Sequence, residues 1–410
     1  RGGGGSLPQG LRTSEQTNTP PRVSVRTVAC IVGSLVALFL VIGTQTHHGL
    51  HRRSRVEFNL ELDGLCTPSS LGANAFVTLV YERPGYDGHF SYPVLAMARA
   101  VQKVSAWPLV VLTNITHLPD GTDFVQALCR IDSVVLPLQN ISRLIPEHIL
   151  QGFIEPFRWE IAFWKLQVWQ LTQFQRLVWL DTDAILFRSV DFLFERREMW
   201  AMRQDFTCAQ NNKHVNSGLM TVSPSQEDFQ GMIDHLQTMP ACTWGDQELI
   251  RIYFNHVKGK RIRTLPYSIA AFGQCIGAVD ALGPEAMLMA KNVPVAPHVT
   301  LPNIPAFVHK SDAENSCFRV TRKQVRFIES RNATINACQR HPLGPYWRML
   351  LCEAISMATV ATTDSGIAEY CNDDKWYLGQ LHEDWRAILA ELGPEGADKV
   401  HSQAINTSWE

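Results

Sequence analysis

RLVWLDTDAILF, residues 176–187, is an apolar strand that closes on two carboxylates, Asp181 and Asp183. Side chains two apart on a strand project from the same face, so this pair can close on one divalent cation with hydrophobic packing beneath it. Two like charges beside a buried strand repel and are poorly solvated, so they need a cation or a basic partner to neutralise them. From these residues alone, the other reading is a strand-to-turn junction with solvated acids, because Asp is common in turns.

Upstream of that stretch, short apolar runs alternate with helical patterns. AFVTLVY (75–81), PLVVLT (108–113) and SVVLPL (133–138) read as strands, and YPVLAMARAVQKVSA (92–106) has helical periodicity. Such βαβ alternation predicts a mostly parallel sheet covered by helices, with ligands at the carboxyl ends of the strands. RWEIAFWKLQVWQLTQF (158–174) reads as a helix feeding into the Asp-x-Asp strand, with Ile161, Trp164, Val168 and Leu171 at core spacing. Downstream, GLMTVSP (218–224) is a strand, QEDFQGMIDHLQ (226–237) and DQELIRIYFNHV (246–257) are helices, and AFVHK (306–310) is a late strand. No internal repeat is visible.

The outer segments set the expected topology. Residues 1–26 are rich in Gly, Ser, Thr and Pro and read as a tail. VACIVGSLVALFLVIG (28–43) carries no charge and, with its flanking threonines, approaches the length of a bilayer span, so 27–44 is expected to be a signal anchor. A cleaved leader or a buried core helix are the alternatives for this segment. Arginines stand on both sides of it, so charge does not orient it. Four N-x-S/T sequons, at Asn114, Asn140, Asn332 and Asn406, all follow it, which favours a luminal body and a type II, Golgi-like membrane placement. The remaining expected boundaries are a stem at 45–73, a catalytic domain at 74–340 and a helical C-terminal extension at 341–410. Ten cysteines without a C-x-x-C pair exclude a zinc ribbon and allow disulfides in an oxidising lumen, with open connectivity. The formal net charge of −2, without a long Lys/Arg block, gives no footprint for a nucleic-acid partner.

A strand at the domain start, a Lys-bearing helix before the Asp-x-Asp strand, then NSGLMTVSP, GDQELI, LPYS and a late VH resemble, in this order, glycosyltransferase family 8. This is the family of glycogenin and of related galactosyl-, xylosyl- and glucosyltransferases. The resemblance covers about residues 75–311 and rests on the order and spacing of several motifs. It implies an α/β fold of the GT-A type, a UDP-sugar donor, a glycan, glycoprotein or glycolipid acceptor, and transfer with retention of configuration. It also implies manganese held by Asp181, Asp183 and His309, a ligand set chemically suited to that ion. By the same matching, Lys165 lies near the donor diphosphate, Asn216, Ser217 and Gly218 face the donor sugar, and Asp246 and Gln247 flank the reacting sugar. Leu79 and Tyr81 would border the uracil and ribose.

Two stretches depart from the family pattern. His309 runs on as KSDAENSCF, without the usual Gly-x-x-Lys element, and Lys310 should point to the opposite strand face. The match before Lys165 is loose, with Arg158 as a candidate phosphate contact. Two rival readings follow: a catalytically inactive, membrane-anchored carbohydrate-binding relative, and a haloacid-dehalogenase-like phosphatase using LDTDAIL. The second conflicts with the βαβ pattern that precedes the motif and with Ile185 in place of the usual Thr or Val.

Overall fold

The computed structural model describes residues 66, 72–82, 91–118, 121–151, 153, 160–204, 214–239, 245–266, 269–272, 306–309, 344–358 and 371, all within one compact unit, Arg55–Glu410. The apolar segment 28–43, the tail, Arg158, Lys310, Asn332 and Asn406 lie outside the described residues. Among the described residues no helix is long and apolar enough to cross a membrane.

The strands are β1 (Asn74–Val80), β2 (Leu109–Thr113), β3 (Val134–Pro137), β4 (Arg176–Leu180), β5 (Ala184–Leu186), β6 (Trp200–Arg203), β7 (Val215–Val222), β8 (Arg263–Thr264), β9 (Ala270–Phe272) and β10 (Phe307–His309). Seven form one sheet in the order β3-β2-β1-β4-β7-β6-β8, and β5-β10-β9 form a second. The run β3-β2-β1-β4 is parallel throughout, as the alternation predicts, while β7 is antiparallel to both β4 and β6. The helices are α1 (Ser91–Val104), α2 (Phe124–Cys129), α3 (Glu147–Leu150), α4 (Gln226–Leu236), α5 (Asp246–Ile252) and α6 (Gly344–Ala358). Two are closed by side-chain caps: Asp123 accepts from Gln126 N at the start of α2, and Ser225 accepts from Asp228 N at the start of α4.

Both faces of the large sheet are covered, which is why its central strands are buried along nearly their whole length rather than at alternate residues. Along β1, Phe76 and Val80 pack into one layer with α1, α6 and the small sheet. Ala75 and Val77 face the other layer, built with residues 163–170, α4 and α5.

The segment expected to be a long α-helix over 158–174 is instead 3₁₀ over Phe163–Gln170, buried at all eight positions. A narrower coil suits a chain enclosed on every side. Gln167 explains it locally, since its side-chain amide donates to Trp164 O and Gln139 O and accepts from Gln139 N. The Trp164 carbonyl is thereby drawn out of a regular i to i+4 ladder. The helix expected over 246–257 is α only to Ile252 and widens to a π turn over Tyr253–Val257. Strands β5, β6, β8 and β9 and helices α2 and α3 add to the elements expected from the sequence.

Candidate functional site

Strand β4 ends at Leu180, so Asp181 emerges at the carboxyl edge of the sheet beside the end of β1, with which β4 pairs in parallel register up to Val77–Trp179. Its backbone N–H donates to Gly218 O at 2.8 Å, which fixes the chain as it leaves the strand. Three residues further on, β5 begins and pairs antiparallel with β10, setting His309 opposite Ala184. That pairing carries a histidine from a distant part of the sequence to the residue next to Asp183. His309 Nε2 lies 3.3 Å from Asp181 Oδ2 and 3.1 Å from Asp183 Oδ1. One ligand atom from each of the three residues falls within 4.8 Å of the others.

These three side chains fit a divalent cation. His309 is 2 % exposed, yet neither ring nitrogen makes a hydrogen bond of good geometry. A buried imidazole with an uncommitted nitrogen facing two carboxylates is a donor set awaiting a positive charge. Without the cation a proton serves instead: burial would lower the His309 pKa, but Asp183 and Asp181 outweigh it and push it up to about 9.

Gly218 occupies the space beneath the imidazole. A Cβ there would meet His309 Nδ1 at 2.6 Å and Cε1 at 2.7 Å, so the residue is glycine to admit the histidine ring. This glycine, expected to face the donor sugar, lies against His309.

A second cluster adjoins the first. Lys165 Nζ sits 2.9 Å from Asp181 Oδ1, 3.0 Å from Asp246 Oδ2 and 2.8 Å from Ser217 Oγ. Burial alone would lower the pKa of this ammonium, but the two carboxylates outweigh it and hold it well above the usual lysine value. For Asp181, burial acts to raise the pKa, and Lys165 and His309 outweigh that and hold it well below the usual carboxylate range. Ser217 Oγ in turn donates to Asp246 Oδ2 at 2.6 Å. Asn216 Nδ2 donates to Gln204 Oε1 at 2.6 Å and to Gln247 Oε1 at 3.1 Å, while its Oδ1 accepts from Gly218 N. Gly245, at φ +77°, makes the left-handed turn that starts α5 and brings Asp246 and Gln247 to this edge.

Asp181, Asp183, His309, Lys165, Asn216, Ser217, Gly218, Asp246 and Gln247 therefore converge on one end of the sheet. Leu79 and Tyr81, at the end of the neighbouring β1, are half-buried, and Tyr81 rests against Trp164 at 5.9 Å between ring centroids. Two residues belong to the cluster without having been expected there. Trp179 Nε1 donates to Asp181 Oδ1 at 2.6 Å, and Gln204 anchors Asn216. Trp179 was within reach of the period-two rule, which puts it on the face of Asp181. Gln204 gave no comparable signal.

No family model matches the chain. Among curated proteins it is 34% identical over 90 residues to a putative UDP-glucuronate:xylan alpha-glucuronosyltransferase 3 of Arabidopsis thaliana, spanning 22% of this chain and 14% of that protein. It is 27% identical over 190 residues to inositol phosphorylceramide glucuronosyltransferase 1 of the same plant, 46% of this chain and 31% of that protein. It is 31% identical over 99 residues to glycogenin-1 of Caenorhabditis elegans, 23% of this chain and 21% of that protein. The chain thus spans less than a third of the length of each of these relatives. The homologues of this chain are glycosyltransferases of the family 8 type.

Proposed function

We propose that the chain is a GT-A-type glycosyltransferase that moves a hexose or pentose from a UDP-sugar to an acceptor hydroxyl, with retention and with manganese assistance. The convergence of Asp181, Asp183 and His309 at the carboxyl edge of β4 carries this reading. Asp181, Asp183 and His309 would hold the cation, which when bound offsets the charge of the departing diphosphate.

The remaining chemistry falls to the chain's own groups. Lys165 keeps its proton between two carboxylates, so it acts as a fixed positive charge rather than an acid or base. By tying Asp181 to Asp246, it joins the cation cluster to the residues expected beside the reacting sugar. Asn216 orients Gln247 by donating one hydrogen bond from its side-chain amide, while Gln204 accepts a second and braces Asn216 from behind. Such a cross-linked cluster is preorganised, which limits the reorganisation needed as the glycosidic bond to UDP breaks. Asp246 and Gln247 flank the sugar, and the structure favours neither a covalent nor a front-face route to retention.

A type II placement in a Golgi-like membrane is part of the same proposal. It draws support from the uncharged segment 28–43, from two disulfides, and from Asn114 and Asn140, sequon asparagines that are both exposed. Acceptors would be glycans, glycoproteins or glycolipids. A screen of UDP-sugars that includes UDP-glucuronate, read as manganese-dependent UDP release, tests the function directly. Release should be confined to one donor or a few and be lost in Asp183→Asn. Equal release by both proteins would sink the proposal.

A further inference from the structure

The chain's near-neutral total charge conceals a local concentration of cations well away from the Asp-Asp-His cluster. A cavity of about 480 Å³ opens where β7 ends, with Trp169 and Phe254 in its floor and Arg197, Lys260, Arg261 and Arg263 around its rim. Its wall residue Val222 pairs with Leu177 at the start of β4. Asp181 lies four residues further along that strand, which at about 3.3 Å per residue separates the two sites by roughly 13 Å.

All four rim cations are exposed, and none makes an ion pair or side-chain hydrogen bond among the described residues. Nearby acids do not neutralise them. Asp228 is committed to Lys258 at 3.0 Å and to Tyr253 Oη at 3.2 Å, and Glu198, the other carboxylate of the lining, interacts with Arg176, so neither acid is paired with a rim cation. A further guanidinium stands behind the wall, because buried Arg176 donates to Ser223 Oγ and to Glu198 O. Like charges gathered around one concavity repel unless something negative joins them.

A protective role for the edge of the sheet explains only part of this. β8 is an edge strand, and basic side chains there discourage pairing with another chain. That accounts for Arg263. It does not account for Arg197, which comes from the turn before β6, nor for Lys260 and Arg261, which reach the same rim from the loop after the π turn.

The geometry points to a binding site for a multivalent phosphate-bearing anion, carried either by a soluble phosphate ester or by a lipid headgroup. Three guanidinium forks and one ammonium suit phosphate oxygens, and the apolar floor lowers the local dielectric beneath them. This inference is independent of the transferase reading, since no residue is shared with the catalytic cluster.

The test is a titration with inorganic tripolyphosphate in the presence of EDTA, so that no cation occupies the Asp-Asp-His cluster. Wild type, Asp183→Asn and the triple variant Lys260→Gln/Arg261→Gln/Arg263→Gln are compared. Wild type and Asp183→Asn should bind alike, and the triple variant at least about tenfold more weakly. Thermal melting of the triple variant should match wild type, because the altered side chains are exposed. A parallel arm uses vesicles containing phosphatidylinositol bisphosphate against phosphatidylcholine vesicles. Binding of either probe that the triple variant weakens supports the site, and the probe that binds identifies the source. Undiminished binding by the triple variant, loss of binding in Asp183→Asn, or no binding of either probe by wild type would each overturn it.

Discussion

Asp181 divides its two oxygens between two tasks. Oδ1 accepts from Trp179 Nε1 at 2.6 Å and faces Lys165 Nζ at 2.9 Å, while Oδ2 is turned to His309 and hence to the cation position. The carboxylate is held from behind by groups that never touch the ion, the arrangement that sets ligand orientation in metal sites. Trp179→Phe keeps the apolar body and removes the N–H, so manganese affinity measured by calorimetry should fall about 10- to 100-fold with the fold retained. An unchanged affinity would mean that Lys165 alone orients the carboxylate. Gly218→Ala acts on the other ligand. Its Cβ would lie 2.6 Å from His309 Nδ1 and 2.8 Å from Asn216 Oδ1, so the imidazole must move. Loss of cation binding is expected in a variant that still melts cooperatively, and an intact site would show that β10 can shift to absorb the methyl group.

Among the elements, the 3₁₀ segment 163–170 matters most, because it delivers Lys165 into a buried space between two acids. Lys165→Met would leave Asp181 and Asp246 facing each other without a cation. The expected cost is about 3–5 kcal/mol in urea unfolding, largely recovered by adding Asp246→Asn. Additive losses in the double variant would contradict the bridging role. The sequence made much of this region legible through period, since β1, β2, β3, β4 and β7 carry apolar runs, but period two does not account for the acid pair: β4 ends at Leu180 and Thr182 and Asp183 form a turn, so Asp181 and Asp183 meet at a strand-to-turn junction rather than on one strand face. It did not reveal that the Lys165 segment is 3₁₀, because bulky residues on every side give the same pattern for any buried coil. The small sheet was hidden for a different reason. β5, β9 and β10 have three residues each, too few to show alternation, so only the order of motifs linked His309 to the acids. Hydrogen-bond partners such as Gln204 depend on tertiary contacts that no local pattern encodes.

At the scale of the molecule, α6 returns to lie along α1, where Glu353 meets Arg99 at 2.7 Å and Lys103 at 3.0 Å. These ion pairs are partly exposed, so Glu353→Gln should cost no more than about 1 kcal/mol. The covalent ties should weigh more. Cys66 bonds to Cys129, a separation of 63 residues, and Cys352 to Cys371, a separation of 19. The first links the segment expected to be a stem to the end of α2, and Cys66 also bridges Val135 of β3 through its backbone. A crosslink restricts the unfolded chain in proportion to the logarithm of the loop that it closes. On that basis the longer bridge contributes about 4 kcal/mol and the shorter about 3 kcal/mol. Paired alanine variants of each bridge, unfolded in urea under oxidising conditions, should therefore both be destabilised, with Cys66→Ala/Cys129→Ala losing more. The logarithm makes this difference small, so the ranking is informative only with matched denaturant slopes. A greater loss from the shorter bridge would mean that native contacts around α6, rather than chain entropy, govern what these crosslinks contribute.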